Sequence, residues 1–594
     1  MEVVKPIIKI MPDTKDGVNN FKNDLNSNAK EKEIELINNY PTVYIHTWEN
    51  RGKFEVYVGE SNNFFKRTDQ HHDLINDKDA WQHNLNEKAS LYVIAHDNFN
   101  KSLTLDIENR LIHYLSSSNS VAKVHNARGN PQNKYFTCEE LDSVFSKIWR
   151  QLRVCNNELF LSEGEIKDSA IYKASPLHKL NAEQLFAKEK ILKNIASCLL
   201  KKDNHQLVFV QGDAGTGKTV LMSNMFYDLI NRKESGIEED EALFKNIETA
   251  IIVNHKEQLT VYEEIVKRLD LNTNGEKIVF KPTQFINLFK EKKNSPIKRK
   301  KKYDVIFVDE AHLLLTQKTQ AYTEDTNQLT EIMKYAKVIV VMFDRRQIMN
   351  AEQYLDDDSI NDFINMAKRN NSFIELSTQM RMKANKKICS WIRKISTEGI
   401  LEKAPKRRDK YEIKIFDTPK ELEKAIRVKA ASKETSLSRL VATYDWQYSK
   451  ESRPIDKKYW DVTIKDWSMP WNYELSNELS SKEKREIKNL AWAEQAHTIN
   501  EVGSTYTIQG FDLNYVGVIL GPSIKYRDGK IIFDTSASCN DKATHKRTLS
   551  DGSKKSFGED FLKNEVGVLL TRGINGLYIY ACDDELRKQL KKML

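Results

Sequence analysis

Apolar residues fall along this chain in two rhythms, and the change between them divides it. Residues 1–40 are polar and rich in Asn and Lys, with helical spacing only over Lys30–Asn38, and read as an arm ahead of the first domain. Val43–Thr47 and Phe54–Val58 are β-branched and aromatic runs separated by a polar, glycine-containing segment, which predicts a hairpin with a longer loop. Helical spacing starts again at Phe64, a third strand falls at Leu91–Ala95, and a second helix covers Leu103–Leu115. Residues 41–135 thus make a small α+β unit. Cys138–Leu152 has helical spacing and runs into a polar stretch, so 136–179 reads as a helical connector.

From Leu180 the texture changes. Leu207–Val210, Ala250–Val253, Val305–Val308, Val338–Phe343, Ser372–Leu376, Val516–Leu520 and Leu577–Tyr580 are apolar throughout, without alternation, and helical patterns separate them. Strands apolar on both faces belong to a parallel sheet covered by helices. The fold class is therefore α/β, a small α+β domain followed by doubly wound parallel sheets. Seven strands exceed one typical sheet, and the polar stretch near Ile400–Asp409 divides them into lobes at 180–400 and 401–594.

Composition narrows this picture little. With 594 residues, 40% hydrophobic and 30% charged, the chain can fill several cores and is not disordered throughout. The net charge of +8 permits phosphate binding without demonstrating it. The lysine-rich run from Lys290 to Lys302 reads equally as a solvated loop or a nucleic-acid contact. Six scattered cysteines with no CxxC pair argue against a zinc ribbon or disulfide framework. The chain start carries no apolar signal segment, and no later run is long and apolar enough for a membrane helix. A cytoplasmic protein without a membrane partner is expected.

Chemistry enters at Gly212-Asp-Ala-Gly215-Thr216-Gly217-Lys218-Thr219, which fits GxxxxGK[ST] directly after an apolar strand and before a helical pattern. Glycines there let backbone N–H groups turn toward phosphate oxygens, Lys218 adds a point charge, and the Thr219 hydroxyl suits Mg²⁺. Downstream, Val305–Val308 delivers Asp309-Glu310-Ala311-His312 at a strand end, where ligands bind in such sheets. Asp309 is expected to hold Mg²⁺ and Glu310 to polarise a water attacking ATP.

These elements resemble superfamily 1 helicases and translocases, whose lobes are RecA-like. By that resemblance, Gln184 in Leu180-Asn-Ala-Glu-Gln184 reads adenine, and Gln347 in Phe343-Asp-Arg-Arg-Gln347 senses the γ phosphate. Arg381 in Gln379-Met-Arg381 reaches the nucleotide, Gln509-Gly510 closes the fifth motif, and Arg572 in Leu569-Leu-Thr-Arg572-Gly is the arginine finger. Trp446, Trp467, Trp471 and the stretch EVGSTYTIQGFDLNYVGVILGPSIKYRDGK resemble the bacterial helicase-like family related to Schlafen group three proteins. Trp446, Trp460, Trp467 and Trp471 could stack bases, although core packing is the plainer reading for at least two.

In the first unit, Thr42-Val43-Tyr44 and Tyr57-Val58-Gly59 resemble the two tripeptides of the GIY-YIG nucleases, with Thr42 in place of the first glycine. Arg67 and His71, four apart, share a helix face. Glu108 lies in an amphipathic pattern and Asn126 follows at a fitting interval. The resemblance implies one Mg²⁺ on Glu108, Tyr57 or Tyr44 as base with the other positioning water or phosphate, Arg67 clamping phosphate, His71 orienting or relaying protons, and Asn126 in support.

Together these imply an ATP-driven nuclease-helicase acting on nucleic acid, with DNA the substrate to which the nuclease resemblance points. Fusion of the two activities suggests antiphage defence, and a protein partner or homo-oligomer is compatible with it. Two alternatives stay open: an ATP-dependent switch that licenses the nuclease without translocating, and a nuclease-like domain used only for binding.

Overall fold

The computed structural model describes residues 5–74, 81–126, 135–201, 206–231, 244, 247–271, 276–290, 299–318, 322, 327–405, 410–432, 434–449, 451–487, 490–548 and 553–594. Contacts sort the chain into two compact units. The first comprises Met1–Lys179 with Tyr227–Ser235 and Tyr262–Lys277; the second comprises Leu180–Phe226, Gly236–Val261 and Ile278–Leu594. A first lobe running unbroken from residue 180 is thereby corrected, because two of its segments belong with the N-terminal unit.

The first unit is built on five strands, β1 (Ile7–Pro12), β2 (Thr42–Asn50), β3 (Lys53–Ser61), β4 (Ser90–Ala95) and β5 (Val121–Val124), in the order β1-β4-β2-β3-β5. All neighbouring pairs are antiparallel except β3 and β5. Strand alternation gives the sheet two different faces. Val43, Ile45, Val56, Val58 and Ile94 pack against α4 (Lys101–Ser117) and α5 (Leu141–Cys155) through Leu103, Ile107, Leu111, Val144 and Ile148. Tyr44, Tyr57, Leu91 and Val93 face α1 (Lys15–Asn28), α2 (Glu31–Asn39) and α3 (Phe64–His72).

Three expectations are corrected here. Residues 7–39 are not an arm: β1 completes the sheet, and Val18, Leu25 and Leu36 of α1 and α2 are buried on it. Residues 136–179 are not a connector, since α5 lies in the core, with Trp149 fully buried and its indole donating to the Leu161 carbonyl at 2.8 Å. The hairpin loop is only Arg51-Gly52, both with positive φ (53° and 76°), so the strands run on to the tightest turn that matches their twist. The expected end near residue 134 lies outside the described residues.

The second unit holds two parallel sheets. In the first the order is β11-β6-β10-β9-β7-β8, with β6 (Gln206–Gly212), β7 (Thr249–Val253), β8 (Val279–Phe280), β9 (Tyr303–Asp309), β10 (Ala336–Phe343) and β11 (Phe373–Leu376). Every pair is parallel, so all C-terminal ends share one edge. The strand β10 separates the strand of the glycine loop from that of Asp309. The second sheet runs Glu412–Ile415, Gly573–Ala581, Leu513–Leu520, Arg439–Ala442, again all parallel. Met382, Ile388, Trp391 and Ile392 already pack into its core, so the hand-over between lobes precedes the polar stretch near residue 400.

Trp467 and Trp471 are buried in one apolar cluster and Trp446 and Trp460 pack against it, so all four serve the core of this lobe. Of the lysine-rich run, Lys292, Lys293 and Lys298 lie outside the described residues, while Arg299 and Lys301 both pair with Glu248. All six cysteines are free thiols. Among the described residues no helix is long and apolar enough to cross a membrane.

Candidate functional site

Two clusters of the expected residues form, one in each unit. In the second unit, β6 ends in the glycine loop and the helix Lys218–Asn231 begins at its last turn. Gly215 and Gly217 have φ of +83° and +77°, which side chains rarely adopt. Crowding excludes them as well: a Cβ on Gly215 would sit 2.8 Å from Arg381 Cβ, and one on Gly217 would sit 2.4 Å from Gln184 Nε2. A Cβ on Gly212 would meet Thr216 Oγ1 at 2.6 Å. The loop thus needs glycine for both conformation and space.

Lys218 Nζ folds back over the loop, donating to the Gly212 carbonyl at 2.7 Å and the Asp213 carbonyl at 3.1 Å, and lies 3.5 Å from Asp344 Oδ2. The Thr219 hydroxyl donates to Asp309 Oδ2 at 3.2 Å, joining the two residues expected to share Mg²⁺. Asp309 Oδ1 accepts the Glu310 backbone N–H at 3.0 Å, and Glu310 takes a left-handed conformation with φ 48°. Such strain in a non-glycine residue is held in place only by firm surroundings. Glu310 Oε2 has no hydrogen-bond partner and lies 3.4 Å from His312 Nε2. Burial pushes the Glu310 carboxyl up, opposed by Lys218, whereas burial pushes His312 down to about 4.

The second lobe reaches the same place. Arg572, fully buried, donates from Nη2 to Gln347 Oε1 at 3.2 Å and from Nη1 to the Phe511 carbonyl at 3.3 Å. Gln347 Nε2 in turn donates to Asp344 Oδ2 at 2.8 Å. A continuous chain therefore runs Arg572–Gln347–Asp344–Lys218 from one lobe to the glycine loop of the other. Gln509, just before Gly510 (φ +85°), lies 3.5 Å from both His312 Nε2 and the Gln347 carbonyl. Arg381 faces Asp512, and burial together with Arg381 lowers the Arg572 pKa to about 9.

Gln184 has a local task. Its Oε1 accepts the Asn181 N–H at 3.0 Å and its Nε2 donates to the Gly217 carbonyl at 3.2 Å, so it ties the start of the helix Ala182–Lys201 to the glycine loop. Reading adenine would require giving up one of these bonds. Asp344 takes part in this cluster although sequence reasoning assigned it no role, and Gln509 of the fifth motif joins it. Asp344 sits within the quoted Phe343–Gln347 run, and its acidity at the end of an apolar strand was the available signal. Burial raises its carboxyl, but Lys218 and His312 outweigh this and hold it below the ordinary range.

In the first unit the six expected residues also meet. Tyr44 on β2 lies opposite Gly59 on β3, where a Cβ would fall 2.4 Å from Tyr44 Oη, so the glycine makes room for the ring. The Tyr44 hydroxyl lies 3.2 Å from His71 Nε2, and Arg67, which donates to Gln70 Oε1 at 3.1 Å, lies near Tyr44 and Tyr57, both of which favour its charged form. Asn126 Nδ2 donates to the Val58 carbonyl at 2.7 Å and to Glu108 Oε1 at 3.2 Å. Burial lowers His71 to about 3, leaving a neutral imidazole at physiological pH, and burial with the nearby Tyr57 raises the Tyr44 phenol. Behind them stand residues that sequence reasoning missed: Asp13, His46, His72, Gln82 and Trp81. Trp81 stacks on Tyr57 with centroids 4.4 Å apart, and Gln82 Nε2 lies 3.5 Å from His71 Nδ1.

Residues 205–583 match the family model described as the Schlafen group 3 DNA/RNA helicase domain. An uncharacterised protein of Saccharomyces cerevisiae, YPL245W, is 32% identical over 444 residues, 69% of this chain and 90% of that protein. With the match spanning both parallel sheets and every residue of the nucleotide-type cluster except Gln184, the chain belongs to the Schlafen group 3 helicase-domain family.

Proposed function

We propose that this chain hydrolyses ATP in its second unit and cuts nucleic acid, DNA in the first instance, with its first. The observation that carries the ATPase reading is the chain Arg572–Gln347–Asp344–Lys218, which ties a guanidinium of one lobe to the glycine loop of the other.

The residues present fit ATP and Mg²⁺. Arg381 Nη1 and Arg572 Nε are buried donors without acceptors, as an anionic phosphate group requires, and the loop glycines leave no room for a Cβ. Thr219 and Asp309 offer hard oxygens of the kind Mg²⁺ prefers. When bound, the ion supplies charge neutralisation of the phosphates. Lys218 is free to exchange backbone carbonyls for phosphate oxygens. Burial raises the Glu310 carboxyl and Lys218 opposes this; as the carboxylate, Glu310 would accept the proton of the attacking water while the water oxygen bonds to the γ phosphorus and the bond to ADP breaks. Arg572 and Arg381 stabilise charge that develops away from the loop, which couples chemistry to lobe closure.

In the first unit, Glu108 is a partly exposed hard ligand held by Asn126, suited to a metal that keeps most of its waters. Such an ion supplies Lewis acidity toward a phosphodiester. Tyr44 and Tyr57 sit within reach of Arg67, which would hold a phosphate, and His71 would orient the Tyr44 hydroxyl through Nε2. An antiphage role rests on the fusion of two activities alone, and the chemical reading does not depend on it.

The test is a paired panel on single-stranded, duplex and forked DNA and on RNA, with ATP and Mg²⁺. Lys218→Ala should abolish hydrolysis and Glu108→Ala should abolish cutting, each leaving the other unit folded. Full ATPase in Lys218→Ala would overturn the nucleotide site. Nucleic-acid-stimulated hydrolysis without strand displacement would replace the helicase by the licensing switch, and a wild type that binds but never cuts would leave the first unit a binding module.

A further inference from the structure

Asp13 is the fully buried carboxylate among the described residues of the first unit, and it comes from the N-terminal segment that the sequence pattern assigned to an arm. Its Oδ2 lies 2.6 Å from His46 Nδ1 and its Oδ1 lies 2.9 Å from His72 Nε2, with all three side chains inaccessible to solvent. Its backbone is fixed as firmly. The Asp13 N–H donates to the Ala89 carbonyl at 3.0 Å, Pro12 is in register with Ser90, and Thr14 caps α1 through the Gly17 N–H at 3.0 Å.

An ionised carboxylate only accepts, so both imidazoles must donate to it. Burial raises the Asp13 carboxyl, but His46 and His72 outweigh this and hold it at about 2. His46 therefore carries its proton on Nδ1. Its Nε2 is buried with no hydrogen-bond partner, so the ring is fixed with Nδ1 toward Asp13 and Nε2 turned away from it.

That imidazole stands among the rings of the candidate cleavage site. His46 is in cross-strand register with Tyr57 and two residues from Tyr44, so all three share a sheet face. Ring centroids lie 5.2 Å from His71 at 77°, 5.4 Å from Tyr44 at 84°, 5.9 Å from Tyr57 at 66° and 5.2 Å from Trp81. His72 touches Asp13 but makes no ring contact with these residues among the described interactions.

We propose that Asp13 and His46 form a positioning dyad that holds Tyr44, Tyr57 and His71 in the arrangement needed for cleavage. This rests on the reading of the first unit as a nuclease. A buried charge serving stability alone gains little, because well-packed apolar residues usually do as well or better. Here the charge fixes one tautomer and one ring orientation against the working residues, as outer partners of metal ligands and catalytic histidines do.

The experiment uses the full chain with Mg²⁺ and the DNA substrates that the wild type cuts. Asp13→Asn places an amide donor against one imidazole N–H. It should lower kcat by about 10–100-fold while KM changes little, as loss of an outer partner does elsewhere. His46→Gln should lose kcat similarly, whereas His72→Gln, whose amide can still donate to Asp13, should lose distinctly less. Nitrogen-15 spectra of labelled histidine should show one fixed Nδ1–H tautomer at His46 in the wild type and a mixture in Asp13→Asn, with thermal unfolding confirming that each variant folds. Wild-type kcat in Asp13→Asn, or equal losses in His46→Gln and His72→Gln, would overturn the dyad while leaving the nuclease reading intact. A wild type that cuts nothing, with ATPase present, would overturn both.

Discussion

Replacing Gln347 by Ala removes one link between the lobes while changing neither the glycine loop nor the arginine. Gln347 is buried, and its amide makes both bonds at once, 2.8 Å to Asp344 Oδ2 and 3.2 Å from Arg572 Nη2. Asp344 would keep the Arg346 N–H at 3.0 Å and the Lys218 ammonium at 3.5 Å, and Arg572 would keep the Phe511 carbonyl at 3.3 Å. Each charged partner is thus left one bond short inside the protein. A hydrogen bond to a charged group contributes about 1.5–3 kcal/mol, so two would give up to about 6. Relaxation and water entering the space left by the side chain reduce this, and a loss of about 3 kcal/mol is expected. Urea unfolding followed by tryptophan fluorescence reads it, since six of the nine tryptophans belong to the second unit. ATP hydrolysis should fall by tenfold or more, in line with loss of an aligned electrostatic partner. A variant within about 0.5 kcal/mol of wild type and fully active would refute the linkage, because surface changes of no consequence fall in that range.

Two further outcomes test other parts of the molecule. Burial, with Asp445 nearby, pushes Glu565 up to about 8, so the folded chain keeps a proton that the unfolded chain has released above the ordinary carboxylate range. Stability should therefore fall as pH rises through that window to about 8, by at most about 1.4 kcal/mol per pH unit from this group. Glu565→Gln, which keeps the acceptor for the Tyr444 N–H, should flatten the dependence in thermal melts at several pH values; an unchanged slope would show that Glu565 does not carry it. Gly59→Ala should displace the Tyr44 ring, at a cost of about 1–3 kcal/mol to the first unit, and abolish cutting while leaving ATPase intact. Normal cleavage by that variant would mean that the Tyr44–His71 contact is dispensable.

Much of the second unit was legible because its signals are local. Strands buried on both faces are apolar without alternation, and a glycine loop after such a strand announces itself over eight residues. Parallel pairing then brings positions 212–219, 309–312 and 344–347 to one edge, although 135 residues of chain separate the first from the last. What was not legible depends on tertiary packing. Asp13 finds His46 and His72 at separations of 33 and 59 residues, from a segment whose polar exterior hides the few apolar residues that hold it to the sheet. The Gln184 side chain is taken up by local backbone partners that no motif reveals. Likewise the boundaries between units at Tyr227 and Tyr262 fall inside the helices Lys218–Asn231 and Lys256–Arg268, whose sequence rhythm runs on unbroken.

The proposed reading of the first unit as a nuclease, against a module that only binds, rests on where its charges sit. A module that only grips phosphates does best with exposed cations, since affinity follows the number of phosphate charges neutralised. Tyr44 is instead 1% exposed, with its hydroxyl on His71, and burial has stripped His71 of its charge by lowering it to about 3. Charging that imidazole would help binding, yet the packing of His46, Trp81 and Tyr57 around it works in the opposite direction. A neutral imidazole hydrogen-bonded to a phenol instead fixes the direction of the hydroxyl, which serves positioning rather than phosphate grip. Arg67 then supplies positive charge near the two hydroxyls, and Glu108 on α4 has one oxygen held by Asn126. On the proposed nuclease reading, charge of each sign beside an oriented phenol would serve the breaking of a phosphodiester, and the tyrosine variants separate this from binding because Tyr44→Phe should abolish cutting without weakening the hold on DNA.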